Sequence, residues 1–313
     1  MDFRQLKYFA RIVELESMTA AAQSLFVAQP SLSQHIANLE ASVGTKLLHR
    51  SVQGTKPTPA GEMLYKYAKT ILRQVDEAST ALRQGLEKPV GRVTVGLPFS
   101  TVQMIGPELI SAIQTDYQDD IVVDIREGST SFLAEQINRQ LIDIAVIAES
   151  NARANYEAVP ILVEELLAVG PVSSPFGSSS ISLEELVGLK LILPALPNSV
   201  RIKMENACLE RNLSYSILAE SACATLMTSI AESGAGWTVL PWAATQGQGK
   251  RLKLLRIKDI SLQRTLSLCT SKAAADSTAC LAVRNILHQT IREKLQSGAW
   301  KYASASPEKG RDT

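Results

Sequence analysis

A change of period at Pro89-Val90-Gly91 divides the chain into two unlike parts. Before it, apolar residues recur at helical spacing. After it, short apolar runs alternate with helical stretches. A set of helices followed by a β-α series needs at least two separate cores. With 313 residues, 45% of them apolar, the chain has the material to bury them.

In the first part, Phe3, Leu6, Phe9, Ala10 and Val13 give a helix with one apolar face. Ser17 or Thr19 can cap a second helix, Ala20 to Leu25, made thin by its alanines. A break at Val27-Ala28 precedes a third helix, Gln29 to Val43, with Pro30 in its first turn and Gly44 at its end. Its inward stripe is Leu32, Ile36, Leu39 and Val43. Leu47 to Arg50 and Gly54 to Pro57 read as a strand–turn–strand wing. Thr58, Pro59 and Glu62 open a further helix that runs to about Leu86. Along it, Leu64, Ala68, Ile71, Val75, Ala78 and Leu82 recur in steps of four and three, a heptad seam suited to pairing with a second copy. A helix packed on its own domain is the alternative.

From Arg92 onward, the strands Val93 to Leu97, Ile121 to Ile125 and Ile142 to Ile147 alternate with helices Met104 to Ile113 and Phe132 to Gln140, which implies a parallel sheet. A second series follows, with strands at Leu191 to Leu193, Ser216 to Leu218 and Trp237 to Leu240. Its helices are Val200 to Arg211 and Ala222 to Ser233. Two α/β lobes are expected, with crossings near 159–170 and 262–271. A last helix, about Thr278 to Leu295, packs back on the first lobe, and residues 301–313 form a frayed tail.

The third helix carries the chemistry. Opposite its apolar stripe it presents Ser31, Ser33, Gln34, Ala37 and Asn38, with Gln29, Pro30 and His35 near its start. Ser, Gln and Asn can pair with base edges, and Ala37 lets the backbone come close. Arg50 and Lys56 on the wing can hold phosphates, with Thr58 at the wing's end. The partner this implies is double-stranded DNA; a merely solvated helix face is the alternative. Net charge is only +1, but residues 1–90 hold 11 Lys and Arg against 8 Asp and Glu.

Other classes find little support. There is no P-loop, and Gly234-x-Gly236 lacks the third glycine and following helix of a dinucleotide site. His35, His49 and His288 do not cluster with acids, and Cys208, Cys223, Cys269 and Cys280 form no C-x-x-C pair. No cofactor, metal or catalytic residue is therefore expected. A Cys208–Cys223 redox switch is the alternative to reduced thiols, although nothing local lowers either pKa. Met1 to Lys7 lacks a signal-peptide core and no apolar run is long enough to span a bilayer, which points to a cytoplasmic protein without a membrane partner.

The motifs Phe3-x-x-Leu6-x-Tyr8-Phe9, Ser17-Met18-Thr19-Ala20-Ala21-Ala22, Gln29-Pro30-Ser31-Leu32-Ser33-Gln34-x-Ile36-x-x-Leu39-Glu40, Gly44-x-x-Leu47-Leu48-x-Arg50 and Thr58-x-Ala60-Gly61 resemble the LysR-type transcriptional regulators. The match is dense over residues 1–65. It extends more loosely to about residue 295 through Asp143-Ile144-Ala145-Val146 and Gly234-x-Gly236-Trp237-x-Val239-Leu240-Pro241. Within the family it looks most like the nitrogen-assimilation-control type. Two positions depart: Ala28 stands where many relatives have a capping Ser or Thr, and Gln34 where many have Arg.

The resemblance implies an α/β multidomain protein. A winged helix-turn-helix (1–58) is followed by a linker and dimerisation helix (59–90) and a two-lobed, periplasmic-binding-protein-like domain (91–300). Lobe I comprises 91–162 and 266–300, and lobe II 163–265. The resemblance also implies a homodimer or homotetramer, an effector cleft between the lobes, an activator or repressor role, and RNA polymerase as a further candidate partner.

In such lobes ligands sit beyond the carboxyl ends of the strands. Ser100 and Thr101, Ser129 and Thr130, and Asn198 and Ser199 leading to Arg201, each precede a helix whose N-terminus favours an anion. They are the expected contacts of a small polar or carboxylate-bearing effector. Ordinary helix caps, a small-molecule-binding protein, and a regulator acting without a small effector remain the alternatives.

Overall fold

The computed structural model describes residues 1–51, 54–84, 88–149, 153–177, 179–246, 251–258 and 262–307. Helices α1 (Phe3–Leu15), α2 (Met18–Ser24) and α3 (Gln29–Val43) close on one small core, beside the hairpin of β1 (Leu48–Ser51) and β2 (Gly54–Pro57). Asp2 and Gln5 form a capping box at α1, and Ser17 Oγ accepts the Ala20 N–H at α2. At α3 the cap residue Ala28 supplies no side-chain hydrogen bond, and Pro30 sits in the first turn, where a missing donor costs nothing. Leu32, Ile36 and Leu39 are fully buried in a cluster with Phe9, Ile12 and Ala21.

The long helix α4 (Pro59–Gln84) starts at Thr58, whose Oγ1 accepts the Gly61 N–H and donates to the Lys46 carbonyl. Gly61 has no room for a Cβ, which would collide with the Leu47 carbonyl oxygen. One flank of α4 belongs to its own domain: Tyr65 and Ala68 are buried, and Leu64 packs against the helical core. The expected seam is corrected here. Its first two members, Leu64 and Ala68, face their own chain, and the exposed apolar stripe is Met63, Tyr67, Ile71 and Val75, with Tyr67 65% exposed. Ala78 is exposed, and the side chain of Leu82 lies outside the described residues.

Lobe I opens with β3 (Gly91–Pro98), α5 (Val102–Asp116), β4 (Ile121–Gly128), α6 (Thr130–Asn138) and β5 (Ile144–Ala148). The strands pair in parallel with β3 in the centre. The 16-residue β6 (Tyr156–Pro171) then runs out of lobe I. Lobe II contains β7 (Ser180–Ile181), α7 (Leu183–Val187), β8 (Lys190–Leu193), α8 (Ser199–Glu210), β9 (Ser216–Glu220), α9 (Ala224–Glu232), β10 (Thr238–Pro241) and β11 (Leu252–Ile257). The chain returns through β12 (Gln263–Ser271) to α10 (Thr278–Gln296), which packs on α5, and ends in β13 (Ala303–Ala305).

Both lobes share β6. Its first half pairs antiparallel with β12, and its second half with β10 and β11. The motif Gly234-x-Gly236-Trp237 serves this packing: the Trp237 ring lies on Gly170 of β6, where any Cβ would collide with it. Each lobe has its own apolar core, one around Leu97, Leu109 and Leu287, the other around Leu191, Met204 and Val239.

The expected frayed tail is corrected over residues 301–307; residues 308–313 lie outside the described residues. Trp300 is buried, and β13 adds to the edge of β6 with Ser304 opposite Val163. The small side chains of Ala303, Ser304 and Ala305 fit that edge, and Trp300 anchors the approach by donating from Nε1 to Glu164 Oε2 at 3.3 Å.

Candidate nucleic-acid interface and interlobe cleft

Burying Leu32, Ile36 and Leu39 leaves the opposite face of α3 to solvent. Gln29, Pro30, Ser31, Gln34, Ala37 and Asn38 are exposed there, and Ser33 is half-buried. Gln34 Nε2 donates to Asn38 Oδ1 at 2.9 Å, so the two amides form one polar unit across a helical turn. Arg50, exposed on β1, donates from Nη1 to Ser33 Oγ at 2.9 Å. Lys56 is exposed on the paired strand. His35 is turned aside, edge-on to Tyr8. Thr58 does not join this surface. It is buried, and its hydroxyl is occupied by Lys46 and Gly61.

A second link joins the helix to the start of the wing. Glu40, on the inner side of α3, accepts from the Leu47 and Leu48 N–H groups at 2.9 and 3.2 Å and pairs with Lys46 at 2.8 Å. Burial pushes its carboxyl up, but the Lys46 bond and the two backbone N–H groups outweigh burial and hold it below its ordinary value.

Among the described residues, two ion pairs tie the helical unit to lobe I. Arg139 meets Glu16 at 3.5 Å, and Arg73 meets Asp143 at 4.0 Å. Lys66 adds a hydrogen bond to Asn155 Oδ1 at 3.2 Å.

Between the lobes lies a cavity of about 190 Å³. Ser100, Ser129, Thr130 and Asn198 line it, together with Phe99, Leu196, Met227 and Leu240. Ser129 Oγ and Asn198 Oδ1 each accept an N–H of the helix they precede. Three of the expected contacts lie elsewhere. Thr101 is fully buried and its Oγ1 donates to the Pro98 carbonyl, because the turn into α5 points it inward. Ser199 is outside the lining. Arg201 is held inside lobe II by Glu205 at 2.7 Å, Glu220 at 2.8 Å and the Tyr215 ring. Burial lowers its pKa, but Glu220, Glu205 and Tyr215 together raise it by more.

Reading the sequence alone missed Arg264. It lines the cavity from β12, 5% exposed, paired with the buried Glu164 at 2.6 Å and donating from Nη2 to Ser100 Oγ at 2.7 Å. Its partner stands 100 positions earlier, so no local pattern marks it. No disulfide joins the four cysteines. Cys208 is buried on α8, where burial, with Glu205 nearby, pushes its thiol up. Cys223 is exposed at the start of α9.

A winged helix with an exposed polar reading face, joined by a long helix to two lobes around a cleft, defines a DNA-binding transcriptional regulator with a small-molecule-sensing domain. Residues 3–62 match the bacterial regulatory helix-turn-helix protein model of the lysR family, and residues 86–292 match the LysR substrate binding domain. The chain belongs to the LysR family of transcriptional regulators.

It is 31% identical over 308 residues to the nitrogen assimilation regulatory protein nac of Escherichia coli (strain K12), covering 97% of this chain and 100% of that one. It is 34% identical over 290 residues to the nac protein of Klebsiella aerogenes, covering 92% and 94%. Among solved structures, full-length OxyR from Pseudomonas aeruginosa superposes with a TM-score of 0.74 at 22% identity, covering 93% of this chain and 95% of that one. CbnR complexed with its target DNA gives 0.62 at 23%, covering 94% and 99%. Among the described residues, no helix is long and apolar enough to cross a membrane.

Proposed function

We propose that this regulator reads its operator through Gln29, Pro30, Ser31, Ser33, Gln34 and Asn38 of α3, with Arg50 and Lys56 holding the flanking phosphates. The observation that carries this reading is the exposed polar face of α3 with Arg50 lying alongside it. It acts in the cytoplasm without catalysing a reaction, and a small effector between the lobes, touching Ser100, Ser129, Thr130 and Asn198, sets its output. Copies pair through the exposed stripe of α4. The edge strands β4 and β9, bearing exposed Val122, Ile217 and Leu218, support a second contact that makes a tetramer. Kinship to two nitrogen assimilation regulators supports a role in nitrogen-responsive transcription.

The test is a gel shift and footprint on the DNA upstream of its own gene. A protected, roughly two-fold-symmetric site is expected, lost when Gln34 and Asn38 are both replaced by Ala. Equal affinity for that DNA and for random DNA of the same length would overturn the reading.

A further inference from the structure

Helices α5, α6, α8 and α9 all begin at the interlobe cavity, since Ser100, Ser129, Asn198 and Ala224 all belong to its lining. Aligned helices carry partial positive charge at their N-termini, so four of them make the cavity a place for negative charge. Two of the four, α5 and α9, have no side-chain cap hydrogen bond at their N-terminus. Arg264 is the single ionisable side chain among the described residues of the lining. Its Nε and Nη2 are taken by Glu164, and Nη2 also by Ser100. Nη1 has no hydrogen-bond partner among the described residues and is not sealed away from solvent.

We propose that Arg264 Nη1 is the anchor for the carboxylate of a small monoanionic effector whose short apolar body rests on Phe99, Leu196, Met227 and Leu240. The proposal rests on the cleft being the effector site. A single carboxylate suits the charge present. Glu164 already offsets part of the guanidinium charge, and the helix N-termini supply a field that favours one further negative group but no second cation for a dianion. The apolar walls select against small inorganic ions, which cannot cover them.

The anchor also sits where a signal can start. Arg264 and Glu164 face each other across β12 and β6, the strands that join the lobes, and Ser100 belongs to lobe I. A carboxylate drawn to Nη1 therefore pulls on the crossing strands themselves.

The experiment follows thermal unfolding of the full-length protein with 3-methylbutanoate and hexanoate, and with their primary amides as neutral isosteres. Stabilisation by the carboxylates and not by the amides is expected. Replacing Arg264 alone would leave Glu164 buried and unpaired, so the test uses the double variant Glu164→Gln with Arg264→Gln, which keeps a neutral hydrogen-bonded pair. It should weaken carboxylate binding about tenfold or more. Glu164→Gln alone should bind the carboxylates at least as tightly as the unaltered protein.

Equal stabilisation by acid and amide, or an undiminished response in the double variant, would overturn the anchor. A cleft-filling Ala195→Trp variant separates the two readings. If no carboxylate binds, yet Ala195→Trp abolishes regulated transcription, the cleft remains the effector site and the Arg264 assignment fails. If Ala195→Trp also leaves regulation intact, both fail.

Discussion

Arg50 Nη1 and Ser33 Oγ, 2.9 Å apart, join the wing to the reading helix before any DNA is bound. The bond leaves the guanidinium held beside the exposed face of α3, so Arg50 meets a phosphate with part of its rotamer entropy already spent. Arg50→Ala should therefore weaken operator and random DNA alike. It should also lower the slope of log affinity against log salt by about 0.9, the value for one phosphate contact on duplex DNA. Fluorescence anisotropy across a salt series measures this, and an unchanged slope would assign Arg50 to Ser33 alone.

Gln34 and Asn38 behave differently because they carry no charge. Their mutual hydrogen bond orients both amides along one face of α3. Gln34→Ala should cost about 1–3 kcal/mol of discrimination at the base pair it reads, while affinity for random DNA stays the same. Competition binding against operators altered one base pair at a time checks it.

The reading helix was legible because its signals are local. The stripe of Leu32, Ile36 and Leu39 fixes which side is buried, Pro30 and Gly44 mark its ends, and the polar face follows by subtraction. Glu40 was not legible as a clamp, since its role depends on N–H groups that only folding brings to it. The cleft was half legible. Ser100, Ser129, Thr130 and Asn198 could be placed there because they follow strands and precede helices. Thr101 obeys the same pattern yet points inward, because one step along a turn reverses a side chain. Heptad spacing on α4 could not say whether Leu64 and Ala68 meet a partner or their own domain, because both contacts need the same period.

Glu40 gives a stability prediction with a defined pH dependence. Glu40→Ala leaves the N–H groups of Leu47 and Leu48 buried without an acceptor and should destabilise the helical domain by about 1–3 kcal/mol. The folded-state pKa lies below the unfolded one, so the ionised form stabilises the fold above the unfolded value, near 4.3 for a glutamate. That contribution is lost as pH falls through the folded value. Urea unfolding of the wild type and of Glu40→Gln should therefore differ fully at neutral pH and converge as pH drops below about 4.3. A gap that persists unchanged into that range would mean that shape, not charge, sets the contribution.

On α4, the two sides of the helix predict opposite failures. Ile71 is exposed in the single chain, and burying it against a second copy should contribute about 1.5–3 kcal/mol, so Ile71→Glu should break dimers and leave the fold intact. Leu64→Glu forces a charge against the helical core and should unfold that domain first. Sedimentation, with circular dichroism on the same samples, separates the two outcomes. A dimer that survives Ile71→Glu would move the contact off this stripe.

The last prediction separates the two hydroxyls that open α5. Ser100 reaches the cavity and accepts the Arg264 Nη2 hydrogen bond, whereas Thr101 is fully buried and its hydroxyl donates to the Pro98 carbonyl. Thr101→Val keeps the shape and removes one local bond, which costs stability of about 0.5–1.5 kcal/mol. Effector-dependent transcription in that variant should respond over the same concentration range as in the wild type. Ser100→Ala releases Arg264 from lobe I without touching its pairing with Glu164, so the concentration needed for half response should shift while the unfolding temperature changes little. A reporter titration on both variants, with thermal unfolding of the purified proteins, decides it. A shifted response in Thr101→Val with an unaltered Ser100→Ala would place the effector behind α5 rather than between the lobes.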